Sequence, residues 1–491
     1  MLTAVHLLLR LIGTSFQIYL SGRIGAAGIG LLQLTLSAGS FAMVAGTAGI
    51  RTTAMYLTAE ELGRKHPENI PWVLSGCIRY SLITGGTVAV LLSLFAPKIA
   101  DSWISDPKVI PSLRLLGGFL CVNCLCGVMT GYFTASGRIG TLAAVEVAEQ
   151  FFSMVITVLC LMLWAGTDPG RSCESVILGS GAGACLTLIC LMILRLREHG
   201  KQGPRVQVAG RLTAAAIPLA LGDLLRSGIS TLENMMVPKR LALYSGIQNP
   251  LASFGILTGM VFPVLMFPAC ILHALADLLI PELARCAASN RTNRIRYLVC
   301  RSLGIAFIYG LIVGGCLHLG GKALAVLLYR EEAAGIMLRY YGLLAPMLYC
   351  DALVDAMTKG LGQQRICVKY NIITSAMDVA GLFILLPRLG MKGYFISFLI
   401  THLINFLLSL RRLIKISKVR ISSAGVFKCI LAALSALGVS YGISSPLVRI
   451  MAYIALFFAQ LLLLGVLHGN DLHWLCGLFF FHQQDSEKAA S

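Results

Sequence analysis

Three arginines stand inside apolar runs rather than between them: Arg10, Arg51 and Arg226. A guanidinium keeps its charge at any physiological pH and presents a planar fork of donors that matches phosphate bidentately. In a wet chamber within a membrane, such groups would bind an anionic substrate, above all a phosphate. The competing reading is local. An in-span arginine can snorkel to the headgroups or pair with an acid nearby. For Arg226 an acid is at hand, because Asp223 precedes it on the same helical face. Arg79, near the start of its run, reads as a snorkelling residue.

Acids form a second set. Asp223 and Asp378 lie in separate apolar runs, and Thr374 stands one helical turn before Asp378. Carboxylates with hydroxyl and carbonyl oxygens can hold Na+, a hard cation that prefers oxygen ligands, or take up a proton in a coupled step. Alternatively they lock helices together through hydrogen bonds or ion pairs. Asp351 and Asp355, at i and i+4, either line a cavity or pair with Lys359. Glu149, with Glu146, carries the same two readings. His273, alone in its run, reads as a packed histidine.

The composition says which elements must position these residues. The chain has 491 residues, of which 57% are hydrophobic and 13% charged. Soluble domains average about 45–50% apolar and about 25% charged. A soluble enzyme, a disordered chain, a coiled coil and a secreted disulfide scaffold are thereby excluded. The pattern predicts an all-α polytopic membrane protein of about 14 transmembrane helices, each near the ~20 residues a bilayer requires. Among the apolar windows are 1–21, 28–57 and 332–359. The run 247–285 is too long for one straight crossing, and Pro263, Pro268 and Pro281 predict a kink in it.

The net charge of +18 reads as topology rather than as a nucleic-acid signal. The connections holding Arg195, Arg197, Lys201 and Arg205, and later Arg411, Arg412, Lys415, Lys418 and Arg420, belong to the more basic set. The positive-inside bias puts that set in the cytoplasm, with both termini on the same side. The first run lacks a cleavage pattern and reads as a span. The 16 cysteines are scattered as small buried hydrophobes, without metal-ligand spacing. No P-loop, HExxH or nucleophile elbow occurs. No cofactor and no metal is therefore expected, and transport, not catalysis, is the expected activity.

A weak internal repeat follows. The stretch Leu7 to Gly13 around Arg10 matches Leu224 to Gly228 around Arg226. Gly30-Leu31-Leu32 matches Gly255-Ile256-Leu257, and Met129-Thr130-Gly131 matches Met357-Thr358 with Gly360. The order is kept at a period of about six spans, as in transporters built from parallel repeats. The expected organisation is an N-terminal lobe at 1–200 and a C-terminal lobe at 201–420. Two pseudo-symmetric six-helix lobes would enclose a central cavity. Two additional spans at 421–468 and an interfacial cytoplasmic tail at 469–491 complete the chain.

Arg10 to Gly13, Gly28 to Leu34 and Thr47 to Ile50, leading to Ala59 and Glu60, together form a recognisable opening. Ala216 to Pro218, Val237 to Leu241, Gly255 to Gly259, Phe267-Pro268 and Ile280 to Glu282 form its counterpart. These stretches resemble the stage V sporulation protein B-like family of the multidrug/oligosaccharidyl-lipid/polysaccharide exporter superfamily, which also holds the lipid II flippases. The resemblance implies alternating access and a polyprenyl-pyrophosphate-linked cell-wall precursor as substrate, in sporulation or in growth. It implies that a cationic cavity including Arg10 receives the pyrophosphate, with Arg51 and Arg226 joining it on the reading of the in-span charges, and that Na+ or H+ binds near Asp223, Thr374 and Asp378. The sequence departs from the family at Gln17, where relatives carry a second Arg, and at Arg51, where they carry Pro. Gln17, Glu149, Asp351 and Asp355 are secondary cavity candidates. The expected partners are the anionic lipid-linked sugar and membrane lipids, with no nucleic acid, and the expected state is a monomer. Two alternatives remain: a cation-coupled multidrug exporter of the same superfamily and a membrane-embedded transferase.

Overall fold

The structure is a computed structural model that describes residues 2–166, 168–197, 208–419 and 423–466. The side chains of residues 2–7, of Arg10 and of Pro218 lie outside the described set, as does the tail expected at 469–491. The described residues form helices joined by short turns, without strands. In order these are α1 (Leu2–Thr47), α2 (Ile50–Gly63), α3 (Ile70–Ile99), α4 (Ile110–Ala135), α5 (Ile139–Cys160) and α6 (Pro169–Leu196). Then come α7 (Ala209–Leu241), α8 (Pro250–Ile256), α9 (Phe262–Met266), α10 (Ala269–Ala288), α11 (Thr292–Tyr329) and α12 (Glu332–Gly342). The last are α13 (Ala345–Gly360), α14 (Gln364–Leu389), α15 (Met391–Ser417), α16 (Ser423–Ser440) and α17 (Pro446–Leu463).

Helices are the form that lipid imposes, because each backbone polar group must be satisfied within its own segment. Prolines sit in the first turn of α3, α4, α6, α8, α13 and α17, where no N–H is missed. Asp168 caps α6 by accepting from the Arg171 N–H, and Asn249 caps α8 by accepting from Ala252. Inside the spans, hydroxyls turn back on their own helix, as Thr35 does to the Leu31 carbonyl and Thr358 to that of Val354. Large exposed apolar side chains such as Ile83, Leu94, Leu163 and Leu327 make the outer surface fit for hydrocarbon.

Eleven helical stretches among the described residues are long and apolar enough to cross a membrane. The number is 12 if the bent pair Pro250–Met266 and Ala269–Ala288 counts as one span. The number is lower than about 14, with which it is consistent, because it takes α1 as one helix and leaves out helices shorter than a crossing. Windows 1–21 and 28–57 fall largely on the two helical halves of α1, which meet at a non-helical kink at Gly25, φ 77° and ψ 170°. At ~1.5 Å per residue the two halves together are about twice the thickness of a hydrocarbon core, length enough for the two spans expected. Window 332–359 falls on α12 and α13, broken at Leu343–Leu344 into pieces each too short alone. The run 247–285 bends by 60° at Phe267–Pro268, whereas Pro281 lies within continuous α10.

Contacts divide the chain into two compact units. The first holds Met1–Ala274 and Val368–Ile404, the second Leu275–Cys367 and Asn405–Ser491. In the first unit α1 and α8 cross backbone to backbone at Gly30 and Gly255, the two glycines paired in the sequence repeat. A Cβ on Gly255 would stand 2.6 Å from the Gly30 nitrogen, so neither position tolerates a side chain. The other repeat pair behaves alike. A Cβ on Gly131 would lie 2.5 Å from the Arg51 carbonyl oxygen of α2, and one on Gly360, in the second unit, 2.9 Å from that of Ile280 in α10.

Candidate functional site

Arg51 stands one residue after the head of α2, beyond the break at Ala48 and Gly49 that separates it from α1. Gly49 takes φ 71°, and a Cβ there would meet the Leu219 side chain and the Ala216 carbonyl of α7. The break therefore depends on glycine for its backbone angle as well as for space. The close seat of α2 on Gly131 of α4 sets the height of Arg51. Its side chain is exposed, and no carboxylate pairs with it among the described residues. Beside it, Thr52, Thr53, Tyr56 and Leu57 of α2 and Ala214, Ala215 and Leu219 of α7 border a groove of about 560 Å³. Glu60 and Arg211 lie at one end of that groove. There Arg211 is held by Glu60 at 2.6 Å and by Glu61 at 2.8 Å.

Arg226 lies two turns beyond Leu219 on α7, and both it and Asp223 are exposed. No ion pair links Arg226 to Asp223 or to another acid among the described residues. Here α7 runs alongside the second half of α1 in the opposite sense. Gly228 faces Phe41, while Thr231 and Asn234 hydrogen-bond the Ser37 carbonyl and hydroxyl at 3.1 and 3.0 Å. Arg51 and Arg226 thus both belong to the first unit, on neighbouring helices. The side chain of Arg10 lies outside the described residues.

A buried polar cluster gathers deeper in the same unit. Asp378 of α14 is 7% exposed. Its Oδ1 accepts from Ser397 Oγ at 2.7 Å and from Thr401 Oγ1 at 3.1 Å, both on α15. Glu233 of α7 reaches the same carboxyl within hydrogen-bonding range. Two carboxyls can be bridged in this way only by a shared proton or a cation. His402 lies near Asp378 and packs on Phe398 with ring centroids 4.0 Å apart. Thr374, also buried, donates to the Tyr370 carbonyl one turn back. The acid that α7 contributes to Asp378 is therefore Glu233, and exposed Asp223 stands ten residues earlier on that helix.

The remaining candidates are dispersed. Gln17 donates to the Gly259 carbonyl at 3.4 Å, beside Ser21, which donates to the same oxygen at 3.1 Å. Glu149 accepts from Thr187 at 2.6 Å, joining α5 to α6. In the second unit Asp351 accepts from Asn405 at 3.2 Å, and Asp355 pairs with Lys359 at 2.6 Å. Among the described residues no group of three or more His, Cys, Asp or Glu side chains gathers as a metal site. Sequence reasoning missed Glu233, Ser397, Thr401 and His402. A signal was present, since Ser397 and Thr401 are spaced i and i+4 and Glu233 interrupts an apolar run.

No family model matches the chain. The chain is similar to stage V sporulation protein B of Bacillus subtilis (strain 168), 19% identical over 405 residues, which cover 80% of this chain and 78% of the relative. Its fold is shared with the lipid II flippase MurJ in an inward closed conformation. There the TM-score is 0.69 at 12% identity, covering 94% of this chain and 97% of that one. It is also shared with an inward-facing multidrug resistance MATE family transporter of the MOP superfamily. That TM-score is 0.67 at 15% identity, covering 84% of this chain and 96% of the other. The chain is an all-α, multi-pass membrane protein that resembles this superfamily in sequence and in fold.

Proposed function

We propose that the protein is a flippase that carries a polyprenyl-pyrophosphate-linked peptidoglycan or polysaccharide precursor across the bacterial cytoplasmic membrane by alternating access. The observation that carries this reading is the pair Arg51 and Arg226: exposed guanidinium groups within apolar spans, without a carboxylate partner among the described residues. A cation near the centre of a bilayer costs ~2.5–3.5 kcal/mol on the insertion scale. A diphosphate would offset that cost by bidentate, charge-assisted hydrogen bonds. Arg10 joins them on the sequence resemblance. The relative is a sporulation protein and one fold neighbour is a lipid II flippase, which supports this cargo and a role in sporulation.

In this reading the segments 1–200 and 201–420 act as two lobes, 421–468 adds two spans, and both termini face the cytoplasm. Na+ or H+ would bind at Asp378, Glu233, Ser397 and Thr401, with Thr374 on the adjoining turn. Asp223 would act from the cavity wall. Binding shifts the inward–outward balance only as far as the cation prefers one state over the other. Arg51, Arg226 and the acidic cluster do this by binding and charge compensation, so the activity is transport rather than catalysis.

The test is reconstitution of the full chain in liposomes with fluorescent lipid II, run beside dye efflux. Lipid II should flip and dye should stay. Arg10→Ala, Arg51→Ala and Arg226→Ala should each slow flipping while membrane abundance holds. Dye efflux without lipid II flipping would overturn the reading in favour of a cation-coupled multidrug exporter, for which the buried carboxyl pair is also suited.

A further inference from the structure

In the second unit, away from the residues used above, two arginines crowd one tyrosine. The guanidinium carbon of Arg339, on α12, lies 5.4 Å from the Tyr441 ring centroid, and that of Arg449, on α17, lies 5.7 Å from it. Arg339 also donates to the Tyr441 hydroxyl. Arg449 donates Nε and Nη2 to the Ile443 carbonyl at 2.8 and 2.5 Å, which closes the turn from α16 to α17. Behind them, His318 Nδ1 of α11 meets the Arg339 carbonyl at 3.1 Å. Neither guanidinium has a carboxylate partner among the described residues. Glu332, two turns before Arg339 on α12, is engaged by Lys322 at 3.3 Å.

Two cations on one ring repel each other, and the ring's quadrupole offsets only part of that repulsion. An anion between them would complete the arrangement. The Tyr441 oxygen accepts from Arg339, which leaves its own O–H free to donate outward, and the residue is 52% exposed. Next to this cationic head, Val439 of α16 and Leu447, Val448 and Met451 of α17 form an exposed apolar rail, Leu447 and Met451 at 76% and 70%. Tyrosine and arginine at span ends are suited to the headgroup layer.

We propose that Arg339, Tyr441 and Arg449 bind the phosphate of an anionic phospholipid whose acyl chains run along Leu447, Val448 and Met451. The N–H groups that Arg449 leaves off the Ile443 carbonyl and Arg339 leaves off the Tyr441 oxygen, with the tyrosine hydroxyl, supply donors to the phosphate oxygens, and the apolar rail distinguishes a lipid from a free phosphate. This site does not depend on the transported cargo.

Native mass spectrometry of the delipidated full-length protein tests it, with dioleoylphosphatidylglycerol, dioleoylphosphatidylcholine or inorganic phosphate added. The phosphatidylglycerol should be retained, and the other two should not. Arg339→Gln should weaken its retention about tenfold, the loss of one charge-assisted contact. Tyr441→Phe keeps the ring and removes only the donor, so it should lower retention about threefold and carries the test if Arg339→Gln melts early in lipid-free detergent. Equal retention of phosphatidylglycerol by both variants would overturn the proposal. So would retention of phosphatidylcholine to the same extent, or equal occupancy by inorganic phosphate alone.

Discussion

Asp378 and Asp355 are both aspartates within helices, and in the sequence they look alike. Asp355 sits one turn before Lys359 on α13 and pairs with it at 2.6 Å, both side chains partly exposed. Asp378 has no Lys or Arg at hand among the described residues. It is held by two hydroxyls and a second carboxyl, and it is buried. The first arrangement is neutral as it stands and works as a local clasp. The second pairs two carboxyls and calls for a proton or a cation between them, as the proposed coupling site would. The same contrast divides the arginines. Arg211 is neutralised by Glu60 and Glu61, whereas Arg51 and Arg226 have no such partner.

The contrast makes ordered predictions for lipid II flipping by proteoliposomes. Glu233→Gln with Asp378→Asn should raise the Na+ or H+ concentration needed for half-maximal flipping by about 100-fold, since two charged ligands go at once. A cation dependence equal to that of the unaltered chain would break the comparison at its strongest point. Arg51→Ala and Arg226→Ala should each lower the flipping rate about tenfold, one charge-assisted phosphate contact being lost in each. Ser397→Ala or Thr401→Ala should raise the same half-maximal concentration about fivefold, the worth of one hydrogen bond to the carboxylate. Asp355→Asn, read by flipping rate and thermal melting, should have the smallest effect, with a stability change under ~1 kcal/mol, as for a partly exposed i,i+4 pair. If Asp355→Asn slowed flipping more than Ser397→Ala, the division between clasp and coupling site would be wrong.

Much of the architecture was legible from the chain alone. Apolar runs near bilayer length mark the helices because lipid leaves a backbone no other way to satisfy itself. The in-span charges were visible for the same reason, as interruptions of those runs. The proline-rich break at Phe267–Pro268 was legible too, because Pro268 lacks a donor and clashes with the preceding turn. The break at Gly25 was legible as well, since it falls in the gap between windows 1–21 and 28–57. The separation of α12 from α13 at Leu343–Leu344 falls inside the single window 332–359 and was not read, although Gly342 and Pro346 flank it. A hydrophobic run shows no change in periodicity at such a break when the residues on both sides are equally apolar.

Composition and spacing by themselves determined the helical membrane class, the positions of Arg51, Arg226, Asp223 and Asp378, and the candidacy of each for anion or cation binding. Only the packed structure decided which of them meet. Asp223 and Glu233 are ten residues apart on α7, about 15 Å along the helix axis, and it is Glu233 that reaches Asp378. Ser397 and Thr401 reach it from α15 because a Cβ on Gly381, three residues past Asp378, would press on Ser397 Oγ at 2.5 Å, so glycine lets the two helices close together. Periodicity along one helix tells which face a residue occupies. It carries no information on which face of another helix will be opposite, because that depends on side-chain volumes summed across the whole contact.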